Sequence, residues 1–325
     1  MAFSPNPETP VERRKADLDA LIHRAMNREN IPGLSVALVQ DGAMVWSHGY
    51  GVANSITRRR LVAETPLEAA SLGKTLTAYA TLKLVEEGRL DLKRPLSSYL
   101  TKQFIDDPQY RDQISAWNVL THTSGLSNNL MESHHAVAFV PGSRFSYSGV
   151  GFMYLQDVIE QVTRTPFNDF MTHTIFEPLG MSSSSYFRSA YEARMSRGHA
   201  YIFDFAIPMP FAPIAQPNAA NLLCSTAPDL ARFEAELMSP TLMSRKLVAE
   251  MLTPQMRANA DVWWGLGIGL CRAGNSNCFW HWGDNLDFES YMMGCPQEKL
   301  DVVVMTNSSR GLGVAREVAA KALGR

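Results

Sequence analysis

The 325-residue sequence predicts an α+β fold: an antiparallel sheet built from both termini and flanked by helices, with a mostly helical second lobe. Strand-like runs crowd the two ends of the chain. Helical periodicity fills the stretch between them, and 46% hydrophobic content is enough for a well-filled core. The expected organisation is one domain over 11–325. Its α/β lobe takes about 11–70 plus 250–325, and its helical lobe about 71–250.

The first element is a helix. Leu18, Leu21, Ile22, Ala25 and Met26 recur at helical spacing, and Pro32-Gly33 ends the pattern. Leu34 to Val39 and Met44 to His48 are β-rich runs around Asp41-Gly42, a strong hairpin signal. Near the other end, Trp263 to Leu270, Cys278 to Trp282, Glu289 to Gly294 and Asp301 to Thr306 read as four strands. A closing helix places Leu312, Ala315, Val318, Ala319 and Leu323 on one face. In the middle, TLTAYATLKLVEEG and GFMYLQDVIEQVT carry helical patterns between Pro/Gly/Ser loops.

Composition narrows the partners. A formal charge of −2 shows no basic excess, so nucleic acid and membrane surfaces are not expected. No run approaches the roughly 18 apolar residues of a membrane span. The N-terminal MAFSPNPETPVERRKADLDALI lacks the pattern of a secretory signal, which suggests a cytoplasmic location. Cys224, Cys271, Cys278 and Cys295 lack the CxxC spacing of a zinc site. Buried thiols are expected in preference to a bridge such as Cys271–Cys278.

Ser71-Leu72-Gly73-Lys74 carries the chemical signal. A serine hydroxyl needs a base, and residues three apart at the start of a helix are within side-chain reach. A helix N-terminus adds free N–H groups and a positive dipole end. The bland alternative, a serine cap with a solvated lysine, weighs equally on this motif alone. Tyr147-Ser148-Gly149 stands at a loop–helix junction, usually a packing position. On a predicted strand, His281 and Gly283 share one face and Trp282 takes the other. His122 and the pair His134-His135 read as turn and surface residues. The aromatics Trp263, Trp264, Phe279, Trp280 and Trp282 offer an apolar wall, though core packing accounts for at least half of them. No GxSxG is present, against an α/β-hydrolase.

In this order, SLGK, YSG and HWG resemble the SxxK, YxN and KTG/HxG motifs of serine β-lactamases, penicillin-binding proteins, DD-peptidases and related esterases. IPGLSVALVQDGAMVWSHGYGVAN, LTHTSGL, LLCSTAPDLARF and VVVMTN resemble further segments of that superfamily. The resemblance implies that Ser71 is acylated, Lys74 takes its proton and Tyr147 shares the acid/base work. His281 stands where many relatives have lysine, donating towards the carboxylate or oxyanion side. The oxyanion hole falls to the N–H groups of Ser71 and Asp284, with Gly283, Gly149 and Trp282 beside the substrate.

Two departures matter. Gly149 replaces the YxN asparagine, and His281 replaces lysine. Both remove polar holds used by β-lactams and D-Ala-D-Ala peptides. The expectation is an acyl-enzyme serine hydrolase acting on a small ester or amide, without cofactor or metal. The alternatives are a D-amino-acid peptidase or amidase, a weak β-lactamase, an acyltransferase or an inactive ligand-binding relative.

Overall fold

The computed structural model describes residues 10–132, 134–211, 216–273 and 276–324. The first nine residues of the N-terminal reading and the last residue of the expected domain lie outside the described residues. Eight α-helices are described: α1 Pro10–Glu29, α2 Gly73–Glu86, α3 Ala116–Leu120, α4 Val150–Thr163, α5 Phe167–Met171, α6 Ala227–Met238, α7 Arg245–Met251 and α8 Gly311–Ala322. Six strands precede the final run: β1 Gly33–Gln40, β2 Ala43–Gly51, β3 Leu67–Ala70, β4 His199–Ile202, β5 Phe205–Pro208 and β6 Leu223–Ser225. The run itself is β7 Met256–Arg257, β8 Trp263–Trp264, β9 Gly269–Ala273, β10 Ser276–Asp284, β11 Glu289–Cys295 and β12 Leu300–Thr306.

The main sheet has the order β2-β1-β12-β11-β10-β9-β8-β7 and is antiparallel throughout, so it joins both ends of the chain as the sequence predicts. The β1–β2 turn places Asp41 (φ 53°) and Gly42 (φ 77°) in the left-handed region, the pair that a tight hairpin demands. Alternation then sorts the strands. Leu34, Val36, Leu38, Val302 and Val304 pack against α1 and α8 on one face. Ala37, Val39, Val303 and Met305 face the larger core shared with the helices. Although α6 falls in the helical stretch of the sequence, it lies against β1, β2 and β12. Helix α2 is buried on every side, which fits its weakly amphipathic sequence and puts its N-terminus deep in the molecule. No described helix is long and apolar enough to cross a membrane.

Three expectations change. WWGLGIGL is two strands rather than one, because residues 265–268 turn between β8 and β9. The Gly265 N–H closes that turn onto the Ile268 carbonyl, and Gly267 has φ 78°. The cysteines change too. Cys278 and Cys295 stand opposite each other on β10 and β11, with Cα atoms 4.4 Å apart, and form a disulfide. Cys271 lies across from Cys278 on the other side and is not in the bridge; Cys224 is buried and reduced. Strand pairing, invisible in the spacing of the cysteines, selects the partner. Finally, β3 pairs with β6 and β4 with β5, two small ribbons that the sequence reading missed.

Candidate active site

The nucleophile candidate sits where β3 breaks into α2. Ala70, the last residue of β3, has φ 49°, costly for a residue with a Cβ and common at functional turns. This kink aims Ser71 out of the ribbon just before the helix. Among the described residues, no backbone hydrogen bond engages the Ser71 N–H. One turn on, Lys74 is 2% exposed, and its Nζ donates to Ser71 Oγ at 2.9 Å. The Ala220 carbonyl accepts from Lys74 Nζ and, at 3.4 Å, from Ser71 Oγ. The ammonium lies 5.0 Å from the Tyr147 ring centroid and 5.8 Å from that of Phe152. Burial lowers the Lys74 pKa to about 7. A large fraction is therefore neutral near neutral pH, as a base must be.

Tyr147 is held from both sides by His122. The His122 carbonyl accepts the Ser146 N–H at 2.7 Å, and its Nδ1 accepts the Ser148 N–H at 3.1 Å. The rings of His122 and Tyr147 are 4.2 Å apart. The Tyr147 hydroxyl is buried and close enough to Ser71 for that side chain to favour its ionised form, but burial dominates and pushes its pKa up. Among the described residues, no hydrogen bond of ordinary geometry consumes it. It remains a protonated, unspent donor beside the nucleophile. His122 is thus a turn residue (φ 54°), as expected, but it is fully buried rather than at the surface. Because Nδ1 accepts, the ring proton is on Nε2. Burial, then the charges of Lys74 and His281, hold its pKa well below the usual value. The sequence signal for this role was the LTHTSGL turn itself. By contrast, His134 is exposed beside Asp106, as expected.

The third motif lies on β10. Gly283 packs so closely on β3 that a Cβ there would sit 2.2 Å from the Ala69 carbonyl oxygen, so glycine is what lets the strand lie against the nucleophile's approach. The next backbone N–H, that of Asp284, belongs to the same stretch; the Asp284 carboxylate turns outward to accept the Leu286 N–H at 2.9 Å. His281 is fully buried, its ring 6.2 Å from that of Tyr147. Its Nδ1 donates to the Trp282 carbonyl at 2.7 Å, since a carbonyl only accepts. Nε2 therefore carries a lone pair, and it has no partner among the described residues. Burial first, and the Lys74 charge second, lower the His281 pKa to about 3. The ring is a neutral acceptor at ordinary pH, not the donor that the resemblance implied. Of the aromatics, Trp264 and Trp282 reach the site, with centroids 6.1 and 5.0 Å from Tyr147. Phe279 is core, Trp280 stacks on Tyr291, and Trp263, on β8 next to the edge strand, is 43% exposed.

At Gly149 the space for a side chain is taken. A Cβ there would stand 2.5 Å from Leu130 Cδ2 and 3.1 Å from Asn128 Oδ1. A polar tie unseen in the sequence fastens the walls together. Asn285 Nδ2 donates to Glu68 Oε2 at 2.7 Å and to the Asn221 carbonyl at 2.9 Å. It thereby links the strand before Ser71, the residue after Ala220 and the residue after Asp284. Glu68 also pairs with Arg188 at 3.2 Å, both 9% exposed. Among the described residues, no cluster of three or more His, Cys, Asp or Glu is placed to hold a metal ion.

Comparison with known proteins places the fold. The Beta-lactamase family model matches residues 18–323. Protein flp of Staphylococcus aureus is 23% identical over 319 residues, covering 89% of this chain and 62% of that protein. The putative penicillin-binding protein PbpX of Bacillus subtilis is 26% identical over 261 residues, covering 74% of this chain and 62% of that protein. The chain thus spans less than two thirds of the length of these relatives. A class C β-lactamase structure superposes with TM-score 0.87 at 20% identity, covering 98% of each chain. The octameric penicillin-binding protein homologue from Pyrococcus abyssi does so with TM-score 0.84 at 24% identity, covering 96% of this chain and 78% of that one. With the family model matching nearly the whole chain, the protein belongs to the β-lactamase family.

Proposed function

We propose that the protein is a serine acyl hydrolase that cleaves carboxylic esters or small amides lacking a recognition carboxylate. The observation that carries this reading is the 2.9 Å contact between Ser71 Oγ and a lysine whose pKa is lowered to about 7. Neutral Lys74 takes the hydroxyl proton as Oγ attacks the acyl carbon. The oxyanion forms against the N–H groups of Ser71 and Asp284. The Tyr147 hydroxyl, with the proton on Lys74, protonates the leaving group, and water then releases the acyl group by the same path in reverse.

The choice of neutral acyl donors rests on the other two motifs. His281 offers no positive charge to a carboxylate. The Gly149 position has no amide for an acylamino group, and its space is filled by Leu130. Both features weigh against an efficient β-lactamase or D-Ala-D-Ala peptidase. The Cys278–Cys295 bridge favours an oxidising compartment over the cytoplasm. The test is turnover of p-nitrophenyl butyrate and nitrocefin by wild type and Ser71→Ala. Ester turnover that disappears in the variant, with little nitrocefin cleavage, is expected. Ester turnover unchanged by Ser71→Ala sinks the proposal.

A further inference from the structure

The β4–β5 ribbon is built inside out. Directly opposed residues of antiparallel strands share a face, and here the opposed pairs are Ile202 with Phe205 and Ala200 with Ile207. That face looks outward: Ile202 is 61%, Phe205 73% and Ile207 37% exposed, and Phe203 at the tip is 88% exposed. The polar face is turned in and satisfied. His199 is fully buried, with Nδ1 on the Asn307 carbonyl at 2.9 Å and Nε2 accepting the Ser55 N–H at 3.2 Å. The Tyr201 hydroxyl donates to the Asn30 carbonyl at 2.8 Å. An ordinary half-buried ribbon shows the reverse pattern.

A second loop joins this surface. Ser55 Oγ donates to the Ala206 carbonyl at 3.1 Å, which fastens the 54–57 turn beside the ribbon. Ile56, on that turn, is 75% exposed, and Arg58, Arg59 and Arg60 follow it, all exposed. Arg58 borders the same shallow cavity as Phe205 and Asp204. Arg310 spans the tip, donating to the Phe203 carbonyl at 3.0 Å and lying 3.9 Å from the Tyr201 ring centroid. It also meets Asp204 at 3.3 Å, and the Arg59 guanidinium holds the Arg194 and Met195 carbonyls, which leaves Arg58 and Arg60 as the local surplus.

We propose that this face docks the protein on an anionic lipid bilayer, with Phe203, Phe205, Ile202 and Ile56 entering the headgroup–acyl boundary and Arg58 and Arg60 meeting the headgroups. A two-fold contact of this patch with itself brings the arginine surplus against its own image, which selects a bilayer over a second copy of the chain. An anionic membrane surface answers both features at once, rewarding exposed aromatic and aliphatic side chains and adjacent positive charge. The near-zero net charge of the whole chain hides this local excess, so composition alone pointed away from membranes.

The test is co-sedimentation of the full chain with vesicles of phosphatidylcholine alone or of phosphatidylcholine containing one quarter phosphatidylglycerol. Thermal unfolding by circular dichroism serves as the control for folding, so the result does not depend on the proposed hydrolase activity. Wild type is expected to sediment with the anionic vesicles at low salt and to be released by high salt. F203S/F205S and R58Q/R60Q are each expected to lose binding about tenfold or more while melting like wild type. Three outcomes overturn the proposal. One is a wild type that stays in the supernatant; another is variants that bind unchanged. The third is a dimer of wild type that F205S converts to monomer, which assigns the face to a second copy.

Discussion

Two groups of titratable side chains are shut away from water in this molecule, on different parts of the same core. Lys74, His122 and His281 surround Tyr147; Glu234 of α6 and Asp301 of β12 face each other where α6 crosses the sheet. Burial moves both groups in the same physical sense, towards the uncharged form. The Lys74 pKa falls to about 7, while burial raises those of Glu234 and Asp301 well above the usual carboxylate range. What differs is the company they keep. Lys74 touches a serine hydroxyl at a kinked turn. Among the described residues, neither carboxyl has a hydrogen-bond partner. A perturbed pKa therefore marks burial; only the geometry around it marks chemistry.

The comparison can be broken by substitution. Lys74→Met is expected to lower kcat/KM for p-nitrophenyl butyrate by about 10²–10⁴-fold, the usual worth of a positioned base. The same variant should melt higher than wild type. A folded pKa near 7 below the ordinary 10.5 means that the cost of burying the charge is full below pH 7 and is relieved as pH rises towards 10.5. A Lys74→Met enzyme that keeps its rate would put the acidic pair and the basic group on the same structural footing.

His122→Ala should cost less, about 10- to 100-fold in kcat with little change in KM, because it loosens Tyr147 without touching the substrate. If KM rises instead and kcat holds, His122 contacts the acyl donor and its assignment as a positioning residue is wrong. The pH dependence sharpens the contrast further. Ester kcat/KM should rise with pH to a midpoint near 7 as Lys74 loses its proton. His281, with its pKa near 3, contributes no second limb in the accessible range.

The smallest effect is expected at the acidic pair. Glu234→Gln should leave the rate and its pH profile unchanged while raising stability at pH 7 by about 1–3 kcal/mol. Raised carboxyl pKa values mean stability that is present below the ordinary values of 3.8 and 4.5 and is lost as pH climbs through the folded ones. Thermal unfolding from pH 4 to 8 should therefore slope downward in wild type and less so in Glu234→Gln. A loss of activity in that variant would tie α6 to the chemistry.

Local periodicity made the sheet legible. The β1–β2 hairpin carries its turn residues openly, and β10 to β12 alternate or run apolar as strands do. Ser71, Lys74 and Tyr147 were legible as an ordered set of motifs. Features that depend on distant segments meeting were not. The Cys278–Cys295 bridge follows from strand pairing. His122 acquires its role only when its turn folds under Tyr147. Asn285 ties Glu68 and Asn221 across long stretches of sequence, and the tautomer of His281 depends on a carbonyl that only the strand geometry presents.

The most direct measurement is intact-protein and peptide mass spectrometry after rapid acid quench of the protein with p-nitrophenyl butyrate. The expected result is one butyryl group per chain, confined to the peptide containing Ser71 and absent from Ser71→Ala. Turnover without an adduct on that peptide, or an adduct that survives Ser71→Ala, would contradict acylation at Ser71.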